Sequence, residues 1–178
     1  MIRIGQERAR LRAGFTLFEL IAVVCLVAIL AGVLLNRMEV YREAAEKASV
    51  QQTAAAIKSA LQMRAASYMI AGRDNDIEGL RNENPVNWLQ EPPLGYAGEF
   101  AGDAYSRVPR GSWYFDVARK ELVYVIDRGD NFTPGADGRK WLRFQVRMSY
   151  ETLPATGGPP RKVLSGVGFA PAQAYEWF

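Results

Sequence analysis

Gly14-Phe15-Thr16-Leu17-Phe18-Glu19-Leu20 opens an apolar run that continues to Leu35. The 21 residues from Phe15 to Leu35 carry one charge, Glu19, and no proline. At about 1.5 Å of rise per residue, a helix of that length crosses the ~30 Å hydrocarbon core of a bilayer. In front of it lies a short basic segment, residues 1–14, with Arg3, Arg8, Arg10 and Arg12 against the single acid Glu7. Basic flanks stay on the cytoplasmic side, so the C-terminal bulk of the chain is expected to face outward. A carboxylate inside such a run needs a reason, because an ionised Glu at membrane depth costs roughly 2.5–3.5 kcal/mol even on the most lenient insertion scale.

Glu19 is the fifth residue counted from Phe15. A cut after Gly14 would create an α-amine at Phe15, about one helical turn from that carboxylate. In a staggered assembly Glu19 of one subunit could neutralise the amine of the next. The plainer alternative is a membrane-interface Glu that snorkels to water without a partner. The coincidence of basic leader, glycine and acid favours the pairing. It also resembles the class III signal of type IV pilins and type II secretion pseudopilins, over roughly the first 40 residues. The resemblance implies that a prepilin peptidase cuts between Gly14 and Phe15 and methylates Phe15, and that Glu19 directs subunit docking in a filament. The implied partners are other pilin subunits, an inner-membrane assembly platform and the membrane itself. The implied location is the bacterial inner membrane, single-pass, and after assembly a periplasmic or extracellular filament.

Composition agrees with a structural role more than with a charged ligand. The 22 basic and 19 acidic residues give a net charge of +3, and the leader alone carries all of it. Removing residues 1–14 leaves 18 of each sign, so the basic isoelectric point says little about partners and no nucleic acid is expected. The lone cysteine, Cys25, has no disulfide partner, a departure from the many major pilins that close a C-terminal loop with one. Cys25 is expected to be a small buried hydrophobe, and Val23-Val24 before it do not fit a lipidation site.

Beyond Leu35 the pattern becomes amphipathic. Val50, Ala54, Ile57, Leu61, Ala65 and Tyr68 recur at intervals of three and four and predict one helical face. Glu39, Glu43, Glu46, Lys47 and Lys58 are assigned to the other faces, with Glu43 and Lys47 spaced for an i,i+4 pair. Gly72 is the predicted stop. One helix is therefore expected from Phe15 to Ala71, its apolar half over 15–35 and its amphipathic half reaching residue 72. Where many pilins have a proline, this chain has Asn36, so any bend near Gly32 should be weak.

Residues 73–111 read as a connecting loop rich in proline and glycine, with a short helix near Val86–Leu89 opened by Asn84-Pro85. Trp88, Leu89, Tyr96 and Phe100 are expected to plug the core. From 112 to 178 the chain reads as an antiparallel β headgroup. Trp113–Val117 and Leu122–Ile126 flank a hairpin loop at Ala118–Glu121, and Trp141–Tyr150 alternates with Leu142, Phe144, Val146 and Met148 on one face. A fourth strand over 162–169 is weakened by Gly166 and Gly168. The expected fold is α+β, a long N-terminal helix laid on a sheet of three or four antiparallel strands.

Few constellations could carry chemistry. Without histidine there is no Ser-His or Cys-His nucleophile pair, and neither a phosphate-loop motif nor a zinc spacing occurs, so no enzyme is expected. Asp127, Asp130 and Asp137 stand in a turn-rich stretch and are candidate calcium ligands, by analogy with pseudopilins that hold calcium in a late loop. A solvated β-turn is the simpler account of the same residues. Arg143 and Arg147 beside Trp141 could form a small basic aromatic strip for DNA uptake, and a polar sheet face explains them equally. The stretch from Asn84-Pro85 through Trp113-Tyr114-Phe115-Asp116 to Tyr124 is similar to minor pilin-like proteins of the mannose-sensitive haemagglutinin pilus type. The expected function is a structural prepilin-like subunit of a type IV pilus or type II secretion pseudopilus. The alternatives are an uncleaved, single-pass, inner-membrane-anchored periplasmic protein and a pilin-like DNA-uptake subunit.

Overall fold

The computed structural model describes residues 15–154 and 160–178. It divides into two compact units, Met1–Tyr41 and Arg42–Phe178, and the expected leader with its cleavage residue Gly14 lies outside the described residues. Helix α1 spans Leu17–Ile70. In the first unit every residue from Phe15 to Leu35 is exposed, Cys25 included, so the expectation of a buried cysteine is not met within one chain. This segment is long and apolar enough to cross a membrane.

In the second unit the predicted helical stripe is the core face. Val50, Ile57, Leu61 and Ala65 are buried, and Ala54 and Tyr68 pack half-buried beside them. The helix stops at Gly72 (φ +68°), where Gly72 N–H donates to Met69 O at 3.1 Å and Arg73 N–H to Tyr68 O at 2.9 Å. That paired closure needs a left-handed residue, which glycine adopts without strain. Two 3-10 segments follow, Asp74–Asn82 and Pro85–Trp88, the second capped by the Asn84 side chain accepting from Val86 N–H.

The sheet has five strands in the order β1-β2-β3-β5-β6: Tyr96–Phe100, Ser112–Asp116, Glu121–Val125, Trp141–Leu153 and Arg161–Pro171. It is mostly antiparallel, so the α+β expectation holds while its three or four all-antiparallel strands need correcting. The addition is β1, which lies within the stretch expected to be loop and pairs parallel with β2. A parallel pair needs a crossover of about a dozen residues. Residues 101–111 supply it, and they lay Ala104 and Val108 on the sheet face away from α1, against Tyr114, Val123, Val125 and Trp141. Covered on both faces, β2 and β3 are buried almost throughout instead of alternating. The crossover closes tightly, since a Cβ on Gly95 (φ +75°) would meet the Gly111 carbonyl oxygen at 2.9 Å.

The β2–β3 hairpin pairs Asp116 with Glu121, so both strands and the four-residue loop between them lie one residue earlier than the spacing predicts. Asp116 Oδ1 accepts from Ala118 and Arg119 N–H, which closes the turn. β6 keeps pairing with β5 through Gly166 and Gly168, with one irregularity at Ser149/Tyr150. A second, two-stranded sheet joins β4 (Phe132–Thr133) to β7 (Glu176–Trp177).

Candidate functional site

Thr16 starts α1. Its Oγ1 accepts a hydrogen bond from Glu19 N–H at 3.2 Å, so Thr16 stands at the N-cap and Glu19 in the first helical turn. Thr-x-x-Glu is the spacing of a capping box, and a carboxylate there also meets the positive end of the helix dipole. The sequence carried that signal beside the docking reading. Phe15 and Glu19 are both exposed.

In the second unit the stem and the headgroup meet through two carboxylates. Glu43 is only 3% exposed. Its carboxylate accepts from Asn131 N–H at 3.0 Å, Asn131 Nδ2–H at 2.7 Å and Trp177 Nε1–H at 2.9 Å. One turn on, Glu46 accepts from Asp127 N–H and Arg128 N–H, both at 2.8 Å, and from the Tyr124 hydroxyl at 2.9 Å. Lys47 donates to the carbonyls of Trp177 and Phe178 and lies 4.8 Å from the Phe178 ring centroid.

These three residues were expected on the outer helix faces, with Glu43 and Lys47 paired. Instead, both side chains turn into the headgroup. Stepping back along the stripe from Val50 by three, four and seven lands on Lys47, Glu46 and Glu43, so the pattern did place them on the packed side. What the pattern lacks is a donor set to satisfy them, and the distant loop provides it. Burial opposes the charge on Glu43. The bonds from Trp177 and Asn131, with the nearby Lys140 charge, outweigh it and hold the carboxyl below its ordinary value. Burial, with the Glu46 carboxylate beside it, pushes the Tyr124 hydroxyl well above its ordinary value.

The three candidate calcium ligands sit on the same loop, but their geometry serves another purpose. Asp127, Asp130 and Asp137 are all exposed. Asp130 lies 4.0 Å from Lys140 Nζ, Asp127 3.8 Å from Arg128 Nε, and Asp137 Oδ1 accepts from Arg139 N–H. Among the described residues no three acidic, histidine or cysteine side chains gather closely enough to hold a metal. The loop's backbone N–H groups at 127, 128 and 131 instead point at Glu46 and Glu43, so it works as a receptor for anions from α1.

The basic aromatic strip is also committed internally. Arg143 lies 3.6 Å from Glu121 and 5.1 Å from the Trp141 ring. Arg139 pairs with Asp103 and also lies 4.9 Å from the Trp141 ring. Arg147 donates to the carbonyls of Pro171 and Ala172. Glu121, pushed upward by burial despite Arg143, keeps Oε2 without a hydrogen bond. Comparison of the chain with protein-family models, with curated proteins and with solved structures returned no match.

Proposed function

We propose that this chain is a prepilin-like structural subunit, cut after Gly14 and assembled through its apolar helix into a type IV pilus or type II secretion pseudopilus. One observation carries the reading: the whole of Leu17–Leu35 is exposed and apolar apart from Glu19. A contiguous apolar surface of that size is not left in water, and lipid before assembly, then like helices after it, would cover it. Glu19 would select the register. An unpaired carboxylate among apolar helices is strongly disfavoured, and the α-amine of a neighbour's Phe15 relieves it. The β headgroup would form the outer shell, outside the inner membrane. A prepilin peptidase and an inner-membrane assembly platform are the partners this route requires.

Glu19→Ala tests the docking step. The variant should insert and be cleaved, yet give little filament, and a normal filament yield would remove Glu19 from assembly. A second reading has its own observation: Thr16 Oγ1 caps the first turn through the Glu19 backbone N–H, which leaves the Glu19 carboxylate at the positive end of the helix dipole without any neighbour. Under that reading the chain is an uncleaved, single-pass anchored protein. Thr16→Ala would then loosen the first turn by about 0.5–2 kcal/mol, Glu19→Gln, which keeps the backbone N–H and loses only the charge, by about 0.3–1 kcal/mol, and neither would change the oligomeric state.

A further inference from the structure

A cavity of about 380 Å³ lies where three elements meet: the end of the 3-10 segment Asp74–Asn82, the tip of the β2–β3 hairpin and the middle of β5. Its charged and polar walls are Glu78, Arg81, Asn82, Arg119, Lys120 and Gln145. The one carboxylate, Glu78, is exposed and accepts from the Tyr150 hydroxyl at 2.7 Å. Arg119 shares its charge with Asp103 and Glu121. Among the described residues Arg81 and Lys120 have no ion pair, and the side chains of Asn82 and Gln145 have no hydrogen bond. Even with Arg119 set aside as neutralised, the two open cations outnumber Glu78.

Lys120 adds an independent observation. Among the described residues it alone has a positive φ (+57°) without being glycine. At such a turn position glycine sits without steric cost and asparagine with little, so the backbone gives no reason for a lysine. A strained conformation that persists points to a use for the side chain. Here that side chain is a half-buried cation beside the Arg81 guanidinium and two amides with free donors. A forked guanidinium and an ammonium together suit the several oxygens of a phosphate group. The volume falls within the range of about 300–1,000 Å³ typical of small-molecule sites, so it has room for more than a bare ion.

We propose that this cavity binds a phosphorylated small molecule, its phosphate held by Lys120 and Arg81 and its hydroxyl groups by the Asn82 and Gln145 amides. No residue of 17–35 lines the cavity, so the proposal does not depend on the assembly reading above.

The test uses the full chain in neutral detergent micelles and isothermal titration with glycerol phosphate, inorganic phosphate and glycerol. Glycerol phosphate should bind saturably, inorganic phosphate should compete with it, and glycerol should not bind. Lys120→Asn suits the left-handed turn better than lysine does, so this variant keeps the fold, and it should weaken glycerol phosphate about tenfold. Arg81→Gln should weaken it similarly, whereas Arg110→Gln, which removes a cation outside the cavity, should leave the affinity unchanged. Phosphatidic acid added to the micelles distinguishes two sources of the phosphate. Displacement of glycerol phosphate assigns the cavity to a lipid headgroup, and no displacement assigns it to a soluble ester. Absence of saturable binding by every phosphate compound, binding of glycerol as tight as that of glycerol phosphate, or equal losses from Lys120→Asn and Arg110→Gln would overturn the proposal.

Discussion

Glu43 Oε1 accepts a hydrogen bond from the indole Nε1–H of Trp177 at 2.9 Å, joining residues 134 positions apart in the chain. Among the described residues this carboxylate takes hydrogen bonds from three donors: the indole N–H, the Asn131 amide N–H and the Asn131 side-chain N–H. Glu43→Ala would leave the buried indole N–H and the two part-buried Asn131 donors without this acceptor. Hydrogen bonds to a charged group contribute about 1.5–3 kcal/mol each, and breaking such a network typically costs roughly 3–5 kcal/mol. Chemical denaturation of the full chain in micelles should show a loss near 3 kcal/mol, against less than about 0.5 kcal/mol for the exposed Glu91→Ala.

Acid should weaken the same junction. The folded-state pKa of Glu43 lies below its unfolded value of 4.5, so its contribution is complete above that pH. It fades as the pH falls from about 4.5 through the depressed folded value, because protonation removes the charge that the Trp177 and Asn131 donors stabilise. Glu121 shifts in the opposite direction, so the informative quantity is the difference between the parent chain and Glu43→Gln. That difference should be constant from pH 7 to about pH 5 and shrink below about pH 4.5. A difference that stays flat down to pH 3 would contradict the assignment.

Leu61 is fully buried where the α1 stripe meets the sheet. Leu61→Ala should cost about 2–5 kcal/mol through lost contacts and a residual cavity. Met63→Ala, on the exposed side of the same helix, should change stability by less than about 0.5 kcal/mol. Equal effects of the two would mean that the stripe is not the packed face.

Calcium should not stabilise the headgroup loop. Its backbone N–H groups are spent on Glu43 and Glu46, and Asp127, Asp130 and Asp137 stay exposed and beside cations. Thermal unfolding with and without millimolar calcium should coincide. An upward shift abolished by Asp130→Ala would restore the metal reading.

Much of this arrangement was readable in the residues, and the exceptions share a cause. The stripe from Val50 to Tyr68, the stop at Gly72, the Asn84-Pro85 segment and the alternation of Leu142 to Met148 are local patterns, written in intervals of two, three or four. Strand β1 is different. Tyr96–Phe100 contains Gly98 and gains its partner only when residues 101–111 cross the sheet, a pairing that no local period encodes. Glu43 and Glu46 likewise occupy the packed side because Asn131, Asp127 and Trp177, distant in the chain, arrive with donors. The Thr16–Glu19 cap was within reach, being a four-residue spacing in plain view.

The central claim is that the free amine meeting Glu19 belongs to Phe15, which requires the bond after Gly14 to be cut. Intact-mass and N-terminal fragment analysis of protein recovered from its native membrane tests this directly. The account predicts a chain that begins at an N-methylated Phe15. A chain that still carries Met1 would contradict it.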